Sequence, residues 1–109
     1  MKLITKAQHA KLLANGLETV ATSGAVDHVP VVKLFTPDAD CTWLLTEITP
    51  DDRDVAFGLC DLGLGFPELG YVSLSEIAAV RGALGLPVER DRGFVGSKPV
   101  SEYFIKDSE

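Results

Sequence analysis

TWLLTEITPDDRDVAFGLCDL, residues 42–62, contains two runs rich in aliphatic, aromatic and β-branched side chains on either side of the six-residue connector TPDDRD. Short runs of this kind, bounded by Pro and Asp, predict β-strands over 42–48 and 55–62. The connector is too short for the crossover helix that a parallel pair requires, so the two strands pair antiparallel. A period of two puts Trp43, Leu45 and Glu47 on one face of the first strand and Leu44, Thr46 and Ile48 on the other. In the second strand Val55, Phe57 and Leu59 oppose Ala56, Gly58 and Cys60. Neither strand splits cleanly into an apolar and a polar face. A sheet covered on both sides is therefore expected, with helices over one face and loops or a partner over the other.

Working upstream, VVKLF (31–35) is a further strand, joined through TPDADC (36–41). Both connectors contain Thr-Pro-Asp, and the three strands form a meander. Downstream, DLGLGFPELG (61–70) reads as a turn whose glycines take positive φ angles, leading to a strand at YVSL (71–74). LPVERD (86–91) is a last short strand, with Pro87 near its start.

Three stretches read as helix. Thr5 and Gln8 form a capping box, Ala7, Ala10, Leu13, Ala14 and Leu17 recur at spacings of three and four, and Gly16 stands where a C-cap is expected. ETVATSGAVDHVP (18–30) then reads as a loop. In SLSEIAAVRGALG (73–85), Ser73 and Glu76 cap the start, Val72 and Ile77 staple it, and Gly82 or Gly85 ends it. Ser97 is a candidate cap for a last helix with Val100, Tyr103 and Phe104 on its apolar side. The expected fold is α+β: one mostly antiparallel sheet of four to five strands with two to three helices, in a single domain over residues 1–109.

Composition bounds the function. With 46% apolar and 24% charged residues the chain is of the folded, globular kind. No apolar run approaches the roughly 18 residues that cross a bilayer. The start MKLITKAQHAK is interrupted by Lys6, Gln8 and His9 before a secretion signal can form, so a cytoplasmic protein with Cys41 and Cys60 reduced is expected. The net charge of −6 is concentrated: residues 38–76 hold nine carboxylates and a single cation, Arg53. Such a surface repels phosphate backbones, which argues against direct nucleic-acid binding.

Complete catalytic constellations are missing. Gly63-x-Gly65 lacks the third glycine of a dinucleotide fingerprint, because position 68 is Glu68, and no Gly-Lys-Ser/Thr phosphate loop occurs. Cys60, with His28 or His9 as base, lies in an apolar strand where burial blunts a thiol. Asp38, Asp40, Asp51, Asp52 and Asp54 offer oxygen ligands, but a calcium loop begun at Asp52 meets Phe57 where glycine is required and Gly63 where glutamate is required. Two isolated cysteines and two distant histidines make no zinc site. No catalytic, cofactor-binding or metal residue is assigned, and no cofactor is expected. The binding candidates are the carboxylates Asp51, Asp52 and Asp54 and the aromatics Phe66 and Tyr71 beside the glycine-rich turn.

PVVKLFTPDA, TWLLTE, AFGLCDLGLGFPELGYVSLSE and LGLPVERD, in this order and following KLITKAQHAKLLANG, resemble the bacterial domain-of-unknown-function family 2958 over nearly the whole chain. The resemblance implies a setting, since members are typically short proteins encoded on plasmids, integrative elements and other mobile DNA. It implies no mechanism and carries over no site residues. The expected function is a non-enzymatic accessory module of a bacterial mobile element that docks on a protein partner, such as a host-defence or DNA-transaction protein. The alternatives are a small metal-dependent hydrolase or nuclease, and an acidic DNA mimic that inhibits a DNA-binding enzyme.

Overall fold

Thr5 Oγ1 accepts a hydrogen bond from Gln8 N (3.1 Å) and Gln8 Oε1 accepts one from Thr5 N (2.9 Å), the reciprocal cap expected from the sequence. The computed structural model describes residues 3–107, with side chains through Tyr103. From this cap α1 runs over Lys6–Ala21, continuing past Gly16 through residues expected to be loop. Its actual stop is Ser23-Gly24: both take positive φ, and Gly24 N closes on Thr19 O at 2.8 Å.

Gly16 is buried and serves packing. A Cβ there would overlap the Ile48 carbonyl oxygen, so only glycine lets the helix approach this backbone so closely. One residue earlier, Asn15 Nδ2 donates to Thr46 O at 2.9 Å in a buried site. The mutation Asn15→Ala should strand that carbonyl and cost about 1–3 kcal/mol, less about half a kcal/mol regained from alanine's helix propensity. Urea unfolding measures the loss; an unchanged midpoint would mean that water replaces the amide.

The strands are β1 (Val32–Phe35), β2 (Thr42–Ile48), β3 (Val55–Asp61), β4 (Glu68–Ser73) and β5 (Glu89–Arg90), in the spatial order β4-β3-β2-β1-β5. All neighbours are antiparallel. With α1, α2 (Leu74–Ala79) and α3 (Val100–Asp107), the fold is α+β, as expected. Three further readings are corrected. β4 begins at Glu68, so the glycine-rich turn is shorter than the sequence implies; Gly63 and Gly65 do take positive φ, and Gly70 lies inside the strand. The helix α2 ends at Ala79, short of both candidate glycines.

The third correction concerns faces. The β2–β3 register shifts between Leu45 and Glu47, leaving Thr46 as an extra residue whose hydroxyl donates to Phe57 O (3.1 Å). Beyond the shift the alternation inverts, so Ile48 joins Trp43 and Leu45 on one face and Glu47 turns away from them. Glu47 then accepts a hydrogen bond from Thr19 Oγ1 at 3.0 Å.

Both faces are covered, by different elements. Leu12 of α1 and Ile77 of α2 pack on Val32, Leu34, Trp43, Leu45, Ile48 and Ala56. Each fully buried aliphatic side chain here stabilises by roughly 1.5–3 kcal/mol, which is how a helix as short as α2 persists at all. On the opposite face Val100 of α3, with Phe94 and Tyr103, covers Leu44 and Leu59. The side chain of Phe104, expected on the same apolar side of α3, lies outside the described residues. Beyond β3 on this face, Leu69 and Tyr71 of β4 are exposed.

Candidate functional site

The acidic candidates act first on the local chain. Thr49 Oγ1 donates to Asp52 O (3.0 Å), and Asp52 Oδ1 accepts from Asp54 N (2.9 Å), which together close the β2–β3 turn; Asp51 stands exposed beside them. Asp54 reaches across to the start of α2, accepting from Ser73 Oγ (2.6 Å), Ser75 Oγ (2.8 Å) and Ser75 N (2.9 Å). Asp38 accepts from Leu84 N (2.7 Å) and Leu86 N (3.2 Å), tying the loop after α2 to the β1–β2 turn.

The hydrogen bonds from Ser73 and then Ser75 hold the Asp54 carboxyl below its ordinary value of 3.8. A carboxylate with a depressed folded pKa adds stability that is complete above its unfolded value and fades as pH falls through the lower folded value. The acid limb of the wild-type stability curve, below about pH 4, should therefore be steeper than that of Asp54→Asn. Melting temperatures taken from pH 7 down to pH 2 check this, and parallel curves would count against it.

The aromatic candidates lie along β4. Phe66 precedes the strand and is 79% exposed; Tyr71, in its middle, is 66% exposed and meets Phe57 edge to face, with ring centroids 5.0 Å apart. Asp54 stands at the other end, where Val55 pairs with Ser73. Phe66, Tyr71 and the acidic turn are thus strung along about 20 Å of one strand, the length of six extended residues. Leu64 and Leu69 add further exposed apolar surface.

Among the described residues β4 has a neighbouring strand on one side only. Leu74 N donates to Asp54 O at 2.7 Å, and bonded pairs alternate along an antiparallel ladder. The bonded pairs are therefore Ala56/Val72, Gly58/Gly70 and Cys60/Glu68, which turns the N–H and C=O of Leu69 and Tyr71 out of the sheet. The sequence reading found Phe66 and Tyr71 but missed Glu68, Leu69 and Gly70. Their signal was the alternation in ELGYVS, hidden by the reading of its first three residues as turn.

Among the described residues, the remaining sequence candidates stand apart from one another. The Cys60 thiol is pushed up by burial and then by Glu68, so it stays protonated at neutral pH. Both cysteines are free. His28 is buried near α3, its carbonyl accepting from Val100 N (2.9 Å) and its Nδ1 lying 3.7 Å from Glu18. No hydrogen bond joins Cys60 to either histidine among the described residues. In that same set no three His, Cys, Asp or Glu side chains gather where they could hold a metal ion, and no helix is long and apolar enough to cross a membrane. Surface grooves among the described residues, of about 280–430 Å³, differ too little in size to single out a site.

Compared with known families, residues 3–108 match the model described as protein of unknown function, DUF2958. The chain belongs to the DUF2958 family. The match takes in every element of the fold, so the open strand of this DUF2958 chain lies within the family's own extent. No curated protein and no solved structure matches it.

Proposed function

We propose that this DUF2958 protein is a non-enzymatic docking module that takes up an extended segment of a protein partner as an additional strand on β4. The observation that carries this reading is the outer face of β4: backbone donors and acceptors at Leu69 and Tyr71 point away from the sheet beside exposed apolar side chains. Unpaired edges of this kind template strand addition, and proteins that do not use them usually blunt them with charge, proline or a covering loop. β4 is six residues long, with a glycine and no lysine or proline inside it. The setting implied by the family resemblance, an accessory protein of a bacterial mobile element acting on a host-defence or DNA-transaction protein, belongs to the same proposal.

Affinity capture from a host carrying the element tests it, with the wild type compared against Tyr71→Lys and Leu69→Pro. Both substitutions fall at exposed positions, and the proline removes an N–H that takes no part in the β3 ladder. A partner held by the wild type should be lost by about tenfold or more from each variant, as expected for truncating an interface anchor. Equal capture by all three proteins would refute docking on β4.

A further inference from the structure

The core face of the sheet has a gap beside the open strand. Three cross-strand rows meet β4 there: Ile48, Ala56 and Val72; Leu45, Gly58 and Gly70; Trp43, Cys60 and Glu68. The middle row ends in two glycines, and a side chain on Gly70 would meet nothing within 4 Å. Between the first and third rows, Trp43, Val72, Ile77 and Val80 wall a groove of about 410 Å³ with Glu76 in its lining, while Glu68 lines a second groove with Cys60 and Phe66. Glu68 follows on the same face, two residues from Gly70. Neither the Glu68 nor the Glu76 carboxylate has a hydrogen-bond or ion-pair partner among the described residues, and both residues are exposed.

A strand added to β4 would set one residue beside Gly70 with its side chain on this face. Filling the groove takes a long aliphatic stem, and answering Glu68 and Glu76 takes a positive tip. Lys and Arg combine the two, lying along apolar surface while keeping the charge at its rim. The wider field agrees, with nine carboxylates and only Arg53 as cation between residues 38 and 76. A second copy of this chain is disfavoured as the occupant, because it would bring a second set of the same carboxylates, Glu68 and Glu76, to this edge and no cation to answer them.

We infer that the segment docking on β4 is a basic strand, with Arg or Lys opposite Gly70 seated between Glu68 and Glu76. The inference rests on the docking proposal, and the test separates them. Three peptides of about eight residues, alternating Thr with Arg, with norleucine or with Glu, are titrated into the isotopically labelled full chain. Amide shifts locate binding, and calorimetry gives its strength. The Arg peptide should shift the amides of residues 68–73 and bind about tenfold more tightly than the norleucine peptide. That advantage should shrink as salt rises from about 50 to about 500 mM, and vanish in the double variant Glu68→Gln, Glu76→Gln, in which norleucine binding is unchanged. If the norleucine or Glu peptide binds β4 as tightly as the Arg peptide, the basic segment is wrong and docking stands. If no peptide moves the β4 amides, or the chain dimerises through β4 and excludes all three, both proposals fall.

Discussion

The substitution Gly16→Ala is expected to lower the melting temperature by about 10 °C, although alanine is the better helix former by about 1 kcal/mol. Propensity alone therefore predicts the opposite sign. The new methyl would overlap the Ile48 carbonyl oxygen, with the carbonyl carbon close behind it. Both are backbone atoms of β2, fixed by the ladder to β3 and by the Asn15–Thr46 hydrogen bond, so the conflict is relieved only by moving α1 away. That movement would loosen Leu12 from Ile48 and its neighbours in the main core. Overpacking against an unyielding wall costs roughly 3 kcal/mol, which leaves a net loss of about 2 kcal/mol after the propensity gain. Calorimetry on the two proteins decides the sign, and a more stable variant would mean that α1 slides freely over β2.

Opposite outcomes are expected at two glycines that face one another across β3 and β4. At Gly58 a Cβ would overlap the Leu44 carbonyl oxygen and crowd the Leu45 Cα, at the point where the β2 bulge draws the two strands together. Because Leu44 and Leu45 are buried in the two opposite cores, parting the strands disturbs both, and Gly58→Ala should cost about 3 kcal/mol. Gly70, its partner in the ladder, has open space above it and an ordinary strand backbone. There Gly70→Ala should stabilise by about 0.4–1 kcal/mol, mainly by restricting the unfolded chain. Chemical denaturation of both variants checks the pair. Equal effects would show that the bulge does not set the approach of the strands.

The candidate site was half visible in the residues. Phe66 and Tyr71 were found because large aromatics beside a glycine-rich turn have no local reason to be buried. Asp54 was found through its charge, but its use was not: the bonds to Ser73 and Ser75 join positions about twenty residues apart, which no short-range pattern encodes. The open edge itself could not be read in advance. Whether β4 is free depends on where β5 goes, and it pairs with β1 at the far side of the sheet. Had it returned to β4, the same ELGYVS would be an interior strand.

What the order of residues settled was everything decided within a few positions: the Thr5 cap, the Ser73 cap, the strand runs, and the antiparallel turns imposed by connectors too short to cross over. Other features were settled only when distant segments met. Gly16 offered an end to α1 in the sequence, but contact with Ile48 turned it into a packing surface and left the stop to Ser23-Gly24. Likewise the bulge at Thr46 inverted the faces of β2, because the register against β3 is fixed by how both cores fill. Local hydrogen bonds and turn geometry act over one or two turns of chain, whereas close backbone approach and strand order are properties of the folded assembly, and it is these that leave β4 open.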